Sequence, residues 1–138
     1  MELANLLPKA QPLEVIMPDG SPSGIVLQVV GHDSAQFTAT AKKWANVMLE
    51  KEDGAKTNID ELEKQNADLV ASFIVGWTGL EENGAPLPYS HEKAVQLMSM
   101  PELKFVRERV EAFASKRTNF FRPRTQAVGV GSTSGDQA

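Results

Sequence analysis

The hydrophobic and polar positions of the first thirty residues follow the pattern of two β-strands. Residues 13–17 and 24–30 are rich in valine, isoleucine and leucine, and residues 18–23 between them read Pro-Asp-Gly-Ser-Pro-Ser. β-Branched residues favour strands, and Pro-Asp-Gly favours a turn because proline presets φ while glycine accepts a left-handed conformation. The pattern predicts an N-terminal β-hairpin. It must pack on another layer, since an isolated hairpin is only marginally stable in water.

The next segment has the periodicity of an amphipathic helix. Phe37, Ala41, Trp44 and Met48 recur at spacings of four, three and four, which places them on one helical face. The preceding residues 33–34 are Asp-Ser, and either side chain can cap the helix N-terminus. We therefore predict a helix that begins after these residues and ends near Gly54.

A second helix is predicted from Thr57, which stands three residues before Asp60 in the spacing of a capping box. Its apolar face continues through Leu69 to Phe73 and Trp77. The apolar run 69–75 also fits a strand by residue type, but its continuity with the periodic segment favours helix. We therefore predict that the second helix continues through this run.

Two shorter helices are predicted near the end of the domain. Ser90 can cap the first of them, with Val95 and Met98 facing inward. Ser99 and Glu102 have capping-box spacing before the second. The apolar stripe of that last helix consists of Leu103, Val106, Val110 and Phe113. Together the elements predict an α+β fold, with the N-terminal β-hairpin packed on a mainly α-helical domain of about four helices.

The length of 138 residues and the composition indicate one globular domain with a tail. Hydrophobic residues make up 41% of the chain and charged residues 23%, close to the average for globular domains. We assign residues 1–117 to the domain. Residues 118–138 are predicted to form a flexible, disordered C-terminal tail, basic at first and then rich in glycine and serine. We expect no membrane segment, because no apolar run reaches about 18 residues.

The residue types that support catalysis or metal binding are scarce. Cysteine is absent, and His32 and His91 are the two histidines. Asp33 beside His32 and Ser90 beside His91 resemble acid–base or nucleophile pairs, but both sites read more simply as helix starts. The formal net charge of −4 disfavours nucleic-acid binding. We therefore predict no enzyme activity, no metal site, no cofactor and no nucleic-acid partner.

One segment resembles a known family. Residues 73–90 read Phe-Ile-Val-Gly-Trp-Thr-Gly-Leu-Glu-Glu-Asn-Gly-Ala-Pro-Leu-Pro-Tyr-Ser. This Gly-Trp-x-Gly turn, acidic Asn-Gly turn and Pro-Leu-Pro stretch before a serine-capped helix is similar to the tail assembly chaperones of long-tailed bacteriophages. The order of parts over roughly residues 13–117 is similar too.

The resemblance implies a non-catalytic function. Proteins of that family bind the tape measure protein in the host cytoplasm, keep it soluble during tail assembly and are not retained in the mature virion. Many have a longer form, made by ribosomal frameshifting, that recruits tail tube protein. For this chain we expect these partners, and a homo-oligomer as a further association. The predicted partner-binding residues are Phe73, Trp77, Leu87, Tyr89 and Met98.

Two other function classes remain open from the sequence. The first is a structural phage component, such as a head-to-tail connector or a tail completion protein, which would stay in the virion. The second is a small enzyme or regulator whose site forms only in an oligomer, with His32 or His91 contributed by neighbouring chains.

Overall fold

The structure, a computed structural model, describes residues 1–51 and 58–121 and has the predicted α+β fold. Within these residues, 3₁₀ helices cover Leu3–Leu6, Pro101–Leu103 and Arg117–Phe120. The α-helices are α1 Ala35–Leu49, α2 Ile59–Ala71, α3 His91–Ser99 and α4 Lys104–Ala114. The strands are β1 Gln11–Ile16, β2 Pro22–Val29, β3 Ile74–Thr78, β4 Glu81–Glu82 and β5 Ala85–Pro86.

The main sheet has three antiparallel strands with β2 in the centre. β1 and β2 form the predicted hairpin, with Leu13 opposite Leu27. Its turn is closed by the Met17 amide, which donates to the Ser21 carbonyl at 2.8 Å. β3 lies on the other side of β2, with Trp77 opposite Leu27. The small β4–β5 ladder forms a separate reversal after β3.

The prediction that the second helix continues to Trp77 is wrong. α2 ends at Ala71, and the chain enters β3 at Ile74. The Phe73 carbonyl accepts a hydrogen bond from the Val30 amide at 2.7 Å, which begins the pairing with β2. The free edge of β2 supplies ladder hydrogen bonds to a run rich in β-branched residues, and this long-range pairing outweighs the local helical continuity.

The predicted helix starts are confirmed at two of four positions. The Ser34 side chain accepts from the Phe37 amide at 3.1 Å, and the Ser90 side chain accepts from the Lys93 amide at 3.1 Å. These bonds satisfy amide groups that the first helical turn leaves without intrahelical partners.

The other two helix starts differ from the prediction. Asn58 caps α2, accepting from the Glu61 amide at 2.8 Å. The predicted cap Thr57 lies outside the described residues, as does the predicted end of the first helix at Gly54. Ser99 is the last residue of α3, where its hydroxyl donates to the Val95 carbonyl at 2.7 Å. The short 3₁₀ turn that starts at Pro101 therefore leads into α4 without a side-chain cap.

One core joins the sheet to α2, α3 and α4. Val106 and Val110 of the predicted α4 stripe are buried in it. The core extends beyond residue 117, because Phe120 is buried against it. Residues 122–138, where most of the predicted disordered tail falls, lie outside the described residues. Among the described helices, none combines the length and apolar character needed to cross a bilayer.

Candidate protein-binding site

The structure divides the five predicted partner-binding residues into two groups. Phe73 and Met98 are each 3% exposed and belong to the core, where they stabilise the fold and present no surface. Trp77 and Leu87 are half-buried, and Tyr89 is 37% exposed. The partly exposed three lie together, and we call Trp77, Leu87 and Tyr89 the Trp77 surface.

The rings of the Trp77 surface are held in place by their polar groups. The Trp77 indole N–H donates to the Leu87 carbonyl at 2.8 Å, and the Tyr89 hydroxyl donates to the Ile74 carbonyl at 2.7 Å. The two rings meet edge to face with centroids 5.0 Å apart, a favourable aromatic geometry. Partial burial raises the pKa of the Tyr89 hydroxyl, which keeps it in the protonated form that donates.

The β4–β5 reversal brings Leu87 and Tyr89 back to β3. Asn83 and Gly84 both have positive φ at its tip, as the Asn-Gly sequence favours. The Leu87 amide then donates to the Leu80 carbonyl at 2.9 Å. The Asn-Gly sequence predicts this reversal, and its geometry explains how Leu87 and Tyr89, ten and twelve positions after Trp77, reach the same surface.

A polar centre that the sequence analysis missed is formed around Asp68. Asp68 of α2 is buried, and its carboxylate accepts hydrogen bonds from three residues. The donors are Lys43 and Trp44 of α1, and His91 at the start of α3. The Trp44 Nε1 and His91 Nε2 distances are both 2.8 Å. Asp68 therefore connects three helices, and through His91 it holds the start of α3, two residues after Tyr89.

The electrostatics of Asp68 follow from these contacts. Burial by itself would raise the pKa of the carboxyl, because it disfavours the charged form. The hydrogen bonds from Lys43, Trp44 and His91 outweigh this effect and lower the pKa below its usual value. The carboxylate is thus charged and well partnered at neutral pH. In the sequence, the one sign of this polar centre is that the Asp68 carboxylate falls on the buried face of an amphipathic helix.

The residues considered for acid–base chemistry have structural partners. His32 stacks on Phe37 and Phe73 with ring centroids 4.8 and 5.1 Å away. Asp33 accepts two hydrogen bonds from Arg117, at 2.7 and 3.0 Å. Within residues 1–51 and 58–121 there is no group of three or more His, Cys, Asp or Glu side chains arranged to hold a metal ion.

A family model, described as YdaY prophage protein, matches residues 32–130. The match covers most of the chain. The protein belongs to the YdaY prophage protein family. This membership establishes that the protein is phage-derived. It agrees with the phage origin that the resemblance of residues 73–90 implies. No curated protein and no solved structure matches the chain. The matched range of this YdaY family member includes α1, α2, Asp68 and the whole Trp77 surface.

Proposed function

We propose that this YdaY family protein is a phage tail assembly chaperone that binds an apolar helical segment of the tape measure protein through the Trp77 surface. The observation that carries the proposal is the half-exposed pair Trp77 and Tyr89, fixed by hydrogen bonds to Leu87 and Ile74. Prophage membership and the resemblance of residues 73–90 to tail assembly chaperones support it. The proposed activity is binding without catalysis.

The physical reason for choosing this surface is its preorganisation. Tryptophan and tyrosine are enriched among residues that dominate binding energy at protein interfaces. Ordering a side chain on binding costs roughly 0.5–1.5 kcal/mol, and a ring already fixed in the free protein avoids much of that cost. Both rings are held by bonds to the backbone of this domain, so they present the same surface before and after binding.

The charge around the surface indicates the chemistry of the partner segment. Glu81 and Glu82 are exposed in the reversal, and Glu92 is exposed in the first turn of α3. Lys93 Nζ donates to the Glu82 carboxylate at 3.2 Å. These three carboxylates outnumber the one ammonium group, so this part of the surface is negatively charged. A matching segment has apolar anchors at helical spacing flanked by lysine or arginine.

Co-expression with the tape measure protein encoded by the same prophage tests the proposal. We expect the chaperone to raise the soluble fraction of the tape measure protein and to co-purify with it. Leu87→Lys combined with Tyr89→Lys should abolish both effects. Phe121→Lys is the matched control, since Phe121 is 38% exposed and lies outside the Trp77 surface. Unchanged solubility of the tape measure protein with the unmodified chaperone would refute the proposal.

Composition of the virion separates a chaperone from a structural component. A chaperone acting in the host cytoplasm leaves before the particle is complete, so mass spectrometry of purified virions should not detect this chain. Its presence at a stoichiometry comparable to connector or completion proteins would favour the structural alternative.

A further inference from the structure

Residues 122–130 have the two features expected of a segment that binds the Trp77 surface. They read Arg-Pro-Arg-Thr-Gln-Ala-Val-Gly-Val, so two arginines stand shortly before two valines, Val128 and Val130. Because the valines are two positions apart, they share one side of an extended chain. The segment therefore offers apolar anchors beside positive charge.

The carboxylates beside the Trp77 surface keep unpaired negative charge. Glu82 pairs with Lys93 at 3.2 Å, which brings the β4–β5 reversal next to the first turn of α3. Among the residues that the structure describes, Glu81 and Glu92 form no ion pair, and both are exposed. Their negative charge attracts arginine side chains within a Debye length, about 8 Å at physiological ionic strength.

The end of the described chain lies within reach of the Trp77 surface. The Phe120 ring packs against Gly31, just beyond β2. Trp77 pairs with Leu27, four positions back along that strand, so the two sites are about 13 Å apart in the strand direction. Residues 122–128 span at most about 23 Å when extended. The chain therefore reaches the surface with length to spare.

The family match includes the same segment. The YdaY family model covers the chain through Val130, beyond the last described residue, Phe121. It ends before residues 131–138, which read Gly-Ser-Thr-Ser-Gly-Asp-Gln-Ala and contain no large apolar side chain. The basic and apolar part of the tail therefore belongs to the sequence that the family model describes, and the final part does not.

We propose that residues 126–130 bind the Trp77 surface of the same molecule, with Val128 and Val130 against its apolar groups and the two preceding arginines drawn to Glu81 and Glu92. The segment is joined to the surface by the chain itself, so its effective concentration there is roughly millimolar. A weak contact is therefore enough to hold it in place.

This docking regulates the proposed function, and the regulatory consequence rests on that function. The docked segment and the tape measure protein compete for one surface. With the segment docked in about nine molecules of ten, the apparent Kd for the partner rises about tenfold. A partner segment displaces it only if its apolar anchors bind more strongly than two valines.

Engineered cysteine pairs test the docking directly, because the chain has no cysteine of its own. Leu87→Cys with Val128→Cys places one thiol on the Trp77 surface and one in the segment. The Trp77 indole bonds to the Leu87 backbone carbonyl, so the substitution leaves that hydrogen bond in place. We expect an intramolecular disulfide under mild oxidation, since docking brings the two residues within the roughly 7 Å between Cα atoms that a disulfide needs.

Leu6→Cys with Val128→Cys is the matched control. Leu6 is 57% exposed and lies near the point where the tail leaves the domain, because the Lys9 amide donates to the Phe120 carbonyl. Chance encounters with the segment are therefore at least as frequent there as at Leu87. We expect the Leu87 pair to form its disulfide about tenfold faster or more. Equal rates, or disulfides mainly between molecules, would overturn the proposal.

Charge reversal tests the role of the arginines. Arg122→Glu combined with Arg124→Glu, added to the cysteine pair on the Trp77 surface, should slow disulfide formation about threefold to tenfold. Ser132→Glu combined with Ser134→Glu adds negative charge outside the matched range and should leave the rate unchanged. If the arginine variant reacts at the original rate, charge does not direct the docking and that part of the proposal is overturned.

Co-purification with the tape measure protein separates this proposal from the proposed function. The oxidised cysteine-pair protein should not co-purify with the tape measure protein, and reduction of the disulfide should restore binding. Binding by the oxidised protein would overturn the competition. If the unmodified chain does not bind the tape measure protein at all, the proposed function fails, while the disulfide rates still decide whether the segment docks.

Discussion

At the scale of single residues, Asp68 shows how one buried side chain can hold several helices together. One buried carboxylate accepts bonds from Lys43, Trp44 and His91, and through them it fixes α1 and α3 to α2. A buried charge is costly unless it is paired and hydrogen-bonded, and here three donors satisfy it. His91 lies two residues after Tyr89, so Asp68 also helps to fix the chain that follows the Trp77 surface.

Replacement of Asp68 by asparagine should lower the free energy of unfolding by about 1.5–3 kcal/mol, the usual contribution of hydrogen bonds to a charged group. Urea denaturation followed by circular dichroism measures the change. Glu63→Gln, in an exposed position of the same helix, is the control and should stay within about 0.5 kcal/mol of the unmodified protein. Equal midpoints for the two variants would show that Asp68 does not connect the helices.

The lowered pKa of Asp68 predicts a dependence of stability on pH. Its carboxyl titrates below the usual 3.8 in the folded protein, so the folded state favours the charged form. The resulting stability is present above pH 3.8 and is lost as the pH falls through the folded-state pKa. The difference in unfolding free energy between the unmodified protein and Asp68→Asn should therefore shrink below about pH 4. A difference that stays constant from neutral pH to pH 3 would contradict this assignment.

At the scale of elements, β3 and the reversal after it determine the candidate site. β3 is placed by pairing with β2, and Gly79 then passes close to the β1–β2 hairpin. Gly79 has φ of +81°, and a Cβ there would collide with the Gly24 carbonyl oxygen. Gly84 has the same φ but open space around its missing Cβ. Gly79 and Gly84 therefore share one backbone conformation, but only Gly79 is also required by a close backbone contact.

Gly79→Ala should destabilise the domain more than Gly84→Ala. Gly84→Ala carries only the left-handed backbone penalty, roughly 1–2 kcal/mol. Gly79→Ala adds a backbone collision, which we expect to cost at least about 1 kcal/mol more. Thermal unfolding of the two variants side by side measures the difference. Identical melting temperatures would mean that β3 and the hairpin do not approach as closely as described.

At the scale of the whole molecule, the folded unit includes the 3₁₀ helix Arg117–Phe120. Phe120 packs edge to face on Phe113, with ring centroids 5.4 Å apart, and its carbonyl accepts from the Lys9 amide at 3.3 Å. Asn119 donates to the Phe113 carbonyl at 2.9 Å. These contacts join the end of the described chain to its beginning and to α4.

Two adjacent phenylalanines test where the core ends. Phe120→Ala should lower the free energy of unfolding by about 3–5 kcal/mol, because Phe120 is 4% exposed and its loss leaves a cavity. Phe121→Ala should have an effect of less than about 1 kcal/mol, because Phe121 is largely outside the core. A chemical denaturation series gives both values. Similar values for the two would place the end of the core elsewhere.

The same boundary bears on the proposed longer form that recruits tail tube protein. If such a form exists, the frameshift must follow Phe120, so that both products keep the complete core. Asn119, Phe120 and Phe121 can be encoded with a T-TTT-TTC heptamer, and other slippery sites can lie in the codons that follow. Sequencing the gene region checks this expectation. If the codons from Asn119 onward contain no slippery heptamer and no overlapping downstream frame, the longer form is excluded.

Local patterns determined much of this fold from the sequence. The β1–β2 hairpin follows from β-branched runs around a Pro-Asp-Gly turn, and the caps Ser34 and Ser90 begin α1 and α3 as predicted. The turn at Asn83-Gly84 follows from its residue types as well. These features depend on residues only a few positions apart, where propensity, periodicity and capping act.

Tertiary contacts decided the rest. β3 is a strand because β2, nearly fifty residues earlier, offers an edge to pair with. Asp68 gained its role from Lys43 and His91, more than twenty residues away in either direction. Burial also divided the predicted site, with Phe73 in the core and Tyr89 at the surface. Apolar residue type indicates that a side chain leaves water, but only the packing of distant elements decides whether its own domain or a partner covers it.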